Sequence, residues 1–274
     1  MKLTSIVGAI LCAEVALGAR FTEKRRERAA QRASKRALSR TSLPKIAADD
    51  GVLETFETGN ETAHVDYSTN WAGAVLIGSG YKSVTATFVV PTPSVPSGGS
   101  SRTEYAASAW VGIDGDTCQT AILQTGVDFY AQGSSVSFDA WYEWYPDYAY
   151  DFSGITISAG DTITITVTAT STKAGTATVA NKSTGKTVTH TFSSQSAALC
   201  ETNAEWIVED FSSGNSLVPF ADFGTVTFTG ASATTSSGTV GVSGATILDI
   251  KQNNKVLTDC STSGSSTVQC TYTG

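Results

Sequence analysis

The stretch DTITITVTAT, residues 161–170, alternates Thr with Ile and Val. That period of two puts every apolar side chain on one side of an extended chain, the mark of a half-buried antiparallel strand. Working outward, similar short runs recur between Ala72 and Tyr272, separated by turn-forming pieces such as GSG (78–80), PTPSVPSGGSS (91–101), SAG (158–160) and SSG (236–238). No stretch after residue 66 keeps a helical period for three turns. A dozen or more strands at this spacing point to an all-β fold, a sandwich or barrel of antiparallel sheets.

The start of the chain has a different character. Residues 1–18, MKLTSIVGAILCAEVALG, have a basic start, an apolar stretch and small residues at the end. This is the layout of a secretory signal peptide, too short to span a membrane, so the expected location is secreted and extracellular, with no membrane partner. Residues 19–66 then read as a pro-segment, opening on the basic run RFTEKRRERAAQRASKRALSR (20–40), which could form a helix. Of 18 Lys+Arg and 25 Asp+Glu, residues 1–66 hold 11 and 9, leaving 7 and 16 for residues 67–274. A basic leader beside an acidic body favours pairing within the chain over a nucleic-acid partner. The leader is therefore expected to act as an intramolecular inhibitor or chaperone, with processing near Asp66–Tyr67. Carboxylates paired with its Arg and Lys should have depressed pKa values, so that pairing fades as pH falls.

About 208 residues remain for one domain, 67–274, enough for a well-cored β structure. Of five cysteines, Cys12 lies in the signal stretch. The other four suit two disulfides in a secreted chain, and three connectivities are open. Cys260 and Cys270 flank a turn and a strand, so a local bridge closes easily, leaving Cys118 with Cys200. Asn60 and Asn181 stand in N-glycosylation sequons.

The residue inventory excludes several chemistries. His190, in TVTHTF, is the one histidine after residue 66, and its Thr-rich setting suits a sheet surface better than a Ser-His-Asp triad. One His with paired cysteines builds no ordinary zinc site, and no phosphate or dinucleotide fingerprint occurs, so no metal and no cofactor are expected. There is no Asp-Thr-Gly or Asp-Ser-Gly, which leaves carboxylate and amide chemistry.

Polar candidates cluster in SAWVGIDGDTCQTAILQTGVDF (108–129), FDAWYEWYPDYAYDF (138–152) and CETNAEWIVEDF (200–211). Alternation puts Glu205, Ile207 and Glu209 on one strand face. Glu209 among apolar neighbours should have a raised pKa unless paired. Gln124 shares a face with Ile122 and Gly126. By pattern alone, each is as well read as a hydrogen-bonded polar residue on a strand. The aromatic density of 141–150 suits a cleft for an extended or sugar-like ligand.

These motifs, with NWAGAVLIGSGY (70–81) and TATFVVP (85–91), resemble the fungal glutamic peptidases, or eqolisins, over essentially all of 67–274. The resemblance implies a concanavalin A-like β-sandwich of two antiparallel sheets and an acid endopeptidase, insensitive to pepstatin, acting on polypeptide substrates and made as a zymogen. It places the catalytic pair on Gln124 and Glu209, with Glu209 activating water and Gln124 stabilising the oxyanion. Trp110 matches a tryptophan of the family's site; Trp71, Asp114, Trp141 and Glu143 are carried over as substrate-binding residues. Gln119 is a decoy, since part of the family has Glu there, and Glu205 is another. The loop 92–106 is short, so a single mature chain is expected; separately, the protein is expected to be a monomer. The alternative is a carbohydrate-binding or glycan-hydrolysing sandwich using the aromatic cleft with Glu143 and Glu209; a secreted adhesion module is a third reading.

Overall fold

A computed structural model describes residues 39–48, 54–58 and 61–274. The signal stretch, nearly all of the basic run 20–40 and Asn60 lie outside the described residues. Arg40–Gly274 forms one compact unit, so it takes in the last part of the segment read as a leader.

Among the described residues every regular element is a strand. DTITITVTAT becomes the strand Thr162–Ser171, with Ile163, Ile165 and Val167 fully buried and the threonines between them half-exposed. It lies third in an eight-stranded sheet that runs Lys186–Phe192, Ala174–Asn181, Thr162–Ser171, Tyr81–Val89, Thr225–Thr235, Thr267–Tyr272 and Thr258–Ser263, with Gly238–Val240 added at one side. A ten-stranded sheet packs against it. Its central order is Glu61–Ser68, Thr246–Gln252, Trp71–Ile77, Asn203–Glu209, Tyr105–Ile113, Ile122–Gln132 and Ser135–Tyr145. The pairing is antiparallel except where Val65–Ser68 runs parallel to Ile247–Ile250. The architecture is thus an all-β sandwich with one mixed sheet.

Between the sheets lies the main core, where Trp206, Val208, Val111, Leu123, Val127 and Phe129 meet Val84, Phe88, Ile165, Val167 and Phe228. The larger sheet is also buried on its other face, where Trp71, Val75, Trp110, Ile122, Trp141 and Ile207 form a second cluster. This explains why Ile122–Gln132 is buried along almost its whole length, polar residues included, and shows no clean alternation.

The structure bridges Cys118 to Cys200 and Cys260 to Cys270. Cys260 and Cys270 face each other across the hairpin of Thr258–Ser263 and Thr267–Tyr272. The first bridge closes a separation of 82 residues, which restricts the unfolded chain by about 4 kcal/mol. Asn181 is unsuited to carry a glycan in the folded chain. It is buried, and its amide nitrogen donates to Thr156 O at 3.0 Å and to Asp161 Oδ2 at 2.8 Å. The Asp66–Tyr67 peptide lies within Glu61–Ser68, opposite Leu248 and Asp249, so cutting there requires that strand to open.

Asp249, away from the cleft, reports on the fold itself. Burial pushes its carboxyl up to about 7 from 3.8, against the hydrogen bond from Thr258 Oγ1 at 2.7 Å. The unfolded chain gives up this proton near pH 4 and the folded chain near pH 7, so between them the folded state binds more protons and stability falls as pH rises. The full effect is on the order of 4 kcal/mol. Urea midpoints measured from pH 4 to pH 8 should therefore decline, and Asp249→Asn, which cannot ionise, should flatten that slope. An unchanged slope in the variant would count against the buried acid.

Candidate active site

The second face of the larger sheet is a grid fixed by strand register. Directly opposed residues of antiparallel neighbours project to the same side. One row across five strands reads Trp71, Glu209, Ser108, Asp128 and Asp139; the next reads Gly73, Ile207, Trp110, Gly126 and Trp141; the third reads Val75, Glu205, Gly112, Gln124 and Glu143. The two glycines beside Trp110 make room for its indole. A Cβ on Gly126 would lie 2.5 Å from Trp110 Cβ, and one on Gly112 would lie 2.8 Å from Trp110 Cζ3. Gln124 and Glu209 therefore stand two rows apart, with Trp110 between them.

Residues 40–47 cross this face. Arg40 and Thr41 add a short strand to Ser212–Ser213, which pairs in turn with Ser216–Leu217. The Arg40 guanidinium is buried among the acids of the grid. Nε and Nη2 bind Asp128 Oδ2 and Oδ1 at 2.8 and 2.9 Å, and Nη1 reaches Glu143 Oε2 at 3.2 Å. It stacks 3.7 Å from the Trp141 ring centroid and 4.7 Å from that of Phe211. Burial alone would lower its pKa, but Asp128, Glu143 and Glu209 together hold it above the ordinary value.

Ser42 follows, and it touches both members of the expected pair. Its Oγ donates to Glu209 Oε2 at 2.6 Å, and its carbonyl accepts from Gln124 Nε2 at 3.5 Å, the outer limit of a hydrogen bond. Its N–H donates to Glu143 Oε2 at 3.0 Å. Beyond it, Trp71 Nε1 donates to Leu43 O at 3.0 Å.

Burial pushes the Glu209 carboxyl up to about 7 from 4.5, against the lowering effects of the Arg40 charge, of Ser42 Oγ and of Trp110 Nε1, which donates to Oε2 at 2.9 Å. Glu143 is also raised well above the carboxylate range, because burial outweighs Arg40 and the Ser42 amide. The depressed values expected for leader-paired acids are thus reversed at Glu143 and Glu209. Removing water costs the ionised form more than one shared guanidinium returns. Glu205, the other acid of its strand, is raised well above 4.5 by burial, with Asp114 and Asp116 adding to the shift; neither of its oxygens has a hydrogen-bond partner. Donors reach Glu209 and not Glu205, which separates two acids that alternation alone could not.

Of the residues carried over from the sequence, Gln124, Glu209, Trp110, Trp71, Trp141 and Glu143 all share this face. Asp114 does not take part. Its carboxylate accepts from the backbone N–H groups of Cys200, Glu201, Thr202 and Asn203 and from Thr202 Oγ1, so it anchors that loop. Asp128 is a site residue that alternation could have flagged, four positions from Gln124. Arg40 and Ser42 lay in a segment read only for its bulk charge. The aromatic run divides: Trp141 and Glu143 face the cleft, whereas Tyr142 points to the other side and stacks on His190, with ring centroids 3.9 Å apart.

Comparison with known proteins shows the family and the fold. The model of the peptidase A4 family matches residues 69–272. Aspergillopepsin-2 of Aspergillus niger is 56% identical over 288 residues, covering 99% of this chain and 100% of that protein. Scytalidopepsin B of Scytalidium lignicola is 44% identical over 283 residues, with 99% and 100% covered. Among solved structures, scytalido-glutamic peptidase with a transition state analog inhibitor matches with a TM-score of 0.69 and 50% identity, over 75% of this chain and 98% of that one.

The Trp110 hydrogen bond favours the ionised form of Glu209. Trp110→Phe removes the donor and keeps the ring, so the Glu209 pKa should rise. Titration of a carboxyl-labelled chain should show the Glu209 resonance moving at higher pH in the variant.

Proposed function

The chain belongs to the peptidase A4 family, the glutamic endopeptidases, and on that premise we propose that Glu209 and Gln124 are its catalytic pair and that residues 40–47 hold them silent. The observation that carries this reading is Ser42, one residue that brings a hydroxyl to Glu209 and a peptide carbonyl to Gln124. Family membership sets aside the glycan-hydrolysing alternative.

In the open enzyme a water takes the place that Ser42 Oγ occupies. The Glu209 carboxylate accepts a proton from this water as its oxygen attacks the scissile carbonyl carbon. The Gln124 amide N–H donates to the oxyanion that forms. Protonated Glu209 then passes the proton to the leaving nitrogen, the C–N bond breaks, and acid and amine products result. An amide suits this task in acid because it does not titrate there. A polypeptide substrate adds its N-terminal part as a strand to Ser212–Ser213, as Arg40 and Thr41 do.

Residues 40–47 block this chemistry in two ways. Ser42 fills the water position, and dehydration of the cleft keeps Glu209 protonated to about pH 7. Withdrawal of the segment readmits water, removes the largest cause of that shift and returns Glu209 toward the ordinary range, where it can act as a base. Because Glu143 and Glu209 hold their protons more tightly in the covered cleft, acid alone favours the bound segment, and the site opens when the leader is cut away. The protein is then a secreted zymogen, with residues 1–18 as its signal and the leader released before it acts.

The purified chain should degrade denatured casein at about pH 3, and pepstatin should not inhibit it, since the pair is not two aspartates. Glu209→Gln should abolish turnover, and Gln124→Ala, which loses an oxyanion donor, should lower it by roughly a hundredfold to a thousandfold. Full activity in purified Glu209→Gln would end the assignment. On transfer from pH 7 to acid, the full-length chain should show a lag before casein hydrolysis, and Arg40→Ala should shorten it. An unchanged lag would remove Arg40 from the inhibitory contact.

A further inference from the structure

Beyond Ser42 the segment is held residue by residue, as a bound substrate is. Leu43 O accepts from Trp71 Nε1 at 3.0 Å, and Pro44 O accepts from Asn70 Nδ2 at 3.2 Å. Lys45 is held at both ends of its backbone: its N–H donates to Gly115 O at 2.9 Å, and its carbonyl accepts from Gln119 Nε2 at 2.9 Å. Its ammonium contacts Asp116 Oδ1, with Asp66 farther off at 3.9 Å. Asp116 is buried, with its side chain only 2% exposed, and its second oxygen, Oδ2, has no hydrogen-bond partner.

The loop that presents Asp116 is braced by contacts of its own, apart from those to Lys45. Gly115 N–H donates to Cys118 O at 2.8 Å, and Thr117 N–H donates to Asn203 Oδ1 at 2.9 Å. The Cys118–Cys200 bridge ties the same loop to the residues that Asp114 anchors. A buried carboxylate fixed by its loop, with one oxygen unfilled, discriminates charge well, because little of its binding energy goes into ordering the loop.

From these contacts we propose that Asp116, Gly115 and Gln119 form a substrate subsite that selects a cationic side chain at the third residue C-terminal to the cleaved bond. The assignment rests on the reading of Ser42 as the residue whose carbonyl faces Gln124; Lys45 is the third residue after it. Gly115 and Gln119 grip the backbone of whichever residue stands there and are blind to its side chain. Asp116 supplies the selection. Lys reaches it with a charge, Gln offers a neutral donor, and Glu brings a second negative charge to a buried acid. Gln119, no part of the catalytic pair, thereby acquires a function in substrate binding.

Three peptides that differ only at this position, carrying Lys, Gln or Glu, test the subsite at one fixed pH. The cleaved bond is identified by mass spectrometry. The Lys peptide should have a kcat/KM about tenfold above the Gln peptide, mostly through KM, and the Glu peptide should be the poorest. Asp116→Asn should bring the Lys-to-Gln ratio close to one, Asp116→Glu should keep a preference for Lys, and Asp116→Lys should favour the Glu peptide. These ratios are taken within one enzyme, so a general loss of folded protein does not move them. Cleavage of all three peptides at equal rates, or a Lys preference that survives in Asp116→Asn, overturns the subsite while leaving catalysis by Glu209 and Gln124 standing. Failure of wild type to cut any of them, with casein also intact, overturns the reading beneath it instead.

Discussion

Several acids on one buried sheet face must be paired, protonated or hydrated, because an isolated charge out of water costs several kcal/mol. In this chain Glu209, Asp128, Glu205 and Glu143 share such a face, within three rows of one grid. Arg40 meets that requirement for part of the set, binding Asp128 through two nitrogens and Glu143 through a third. Protonation meets it for Glu205 and Glu209 and contributes at Glu143 as well, since burial raises all three. The covered state of the cleft is therefore one in which charge is held low by two devices at once, and both respond to pH and water.

The same constraint explains the division of labour around the site. Trp110 and Ser42 give Glu209 donors that Glu205 lacks, although the two acids of one strand are equally buried. Asp114 is satisfied by four backbone amides and so serves as a fastener for the loop that the disulfide also holds. Rigid loops at the ends of the strands then carry the specificity-bearing groups, while the strands carry the chemistry.

Much of this was legible from residue order. Alternation assigned Thr162–Ser171 and put Glu209 with Glu205, and Gln124 with Gly126, on common faces. The turn residues GSG (78–80) and SAG (158–160) lie just before the strands Tyr81–Val89 and Thr162–Ser171, whereas the length of Thr225–Thr235, which passes through a register shift beside Tyr81–Val89, depended on that neighbour. Resemblance supplied the pairing of Gln124 with Glu209, which lie 85 positions apart and which periodicity cannot connect. The contribution of Arg40–Lys45 was not legible: a charge count over the leader treats its arginines alike, whereas Arg40, the one leader arginine among the described residues, sits between Trp141, Asp128 and Glu143.

The sequence by itself determined the all-β class, the faces on which the acids and the amide lie, and the absence of residues for triad or zinc chemistry, because these depend on a period of two and on which side chains exist. The tertiary structure decided which strands are neighbours, and with that which acid meets a donor, which acid meets a guanidinium and which residue of the leader faces Gln124 and Glu209. Register and burial are properties of contacts between distant segments. The free energy that raises Glu209 to about 7 arises from the water those contacts exclude.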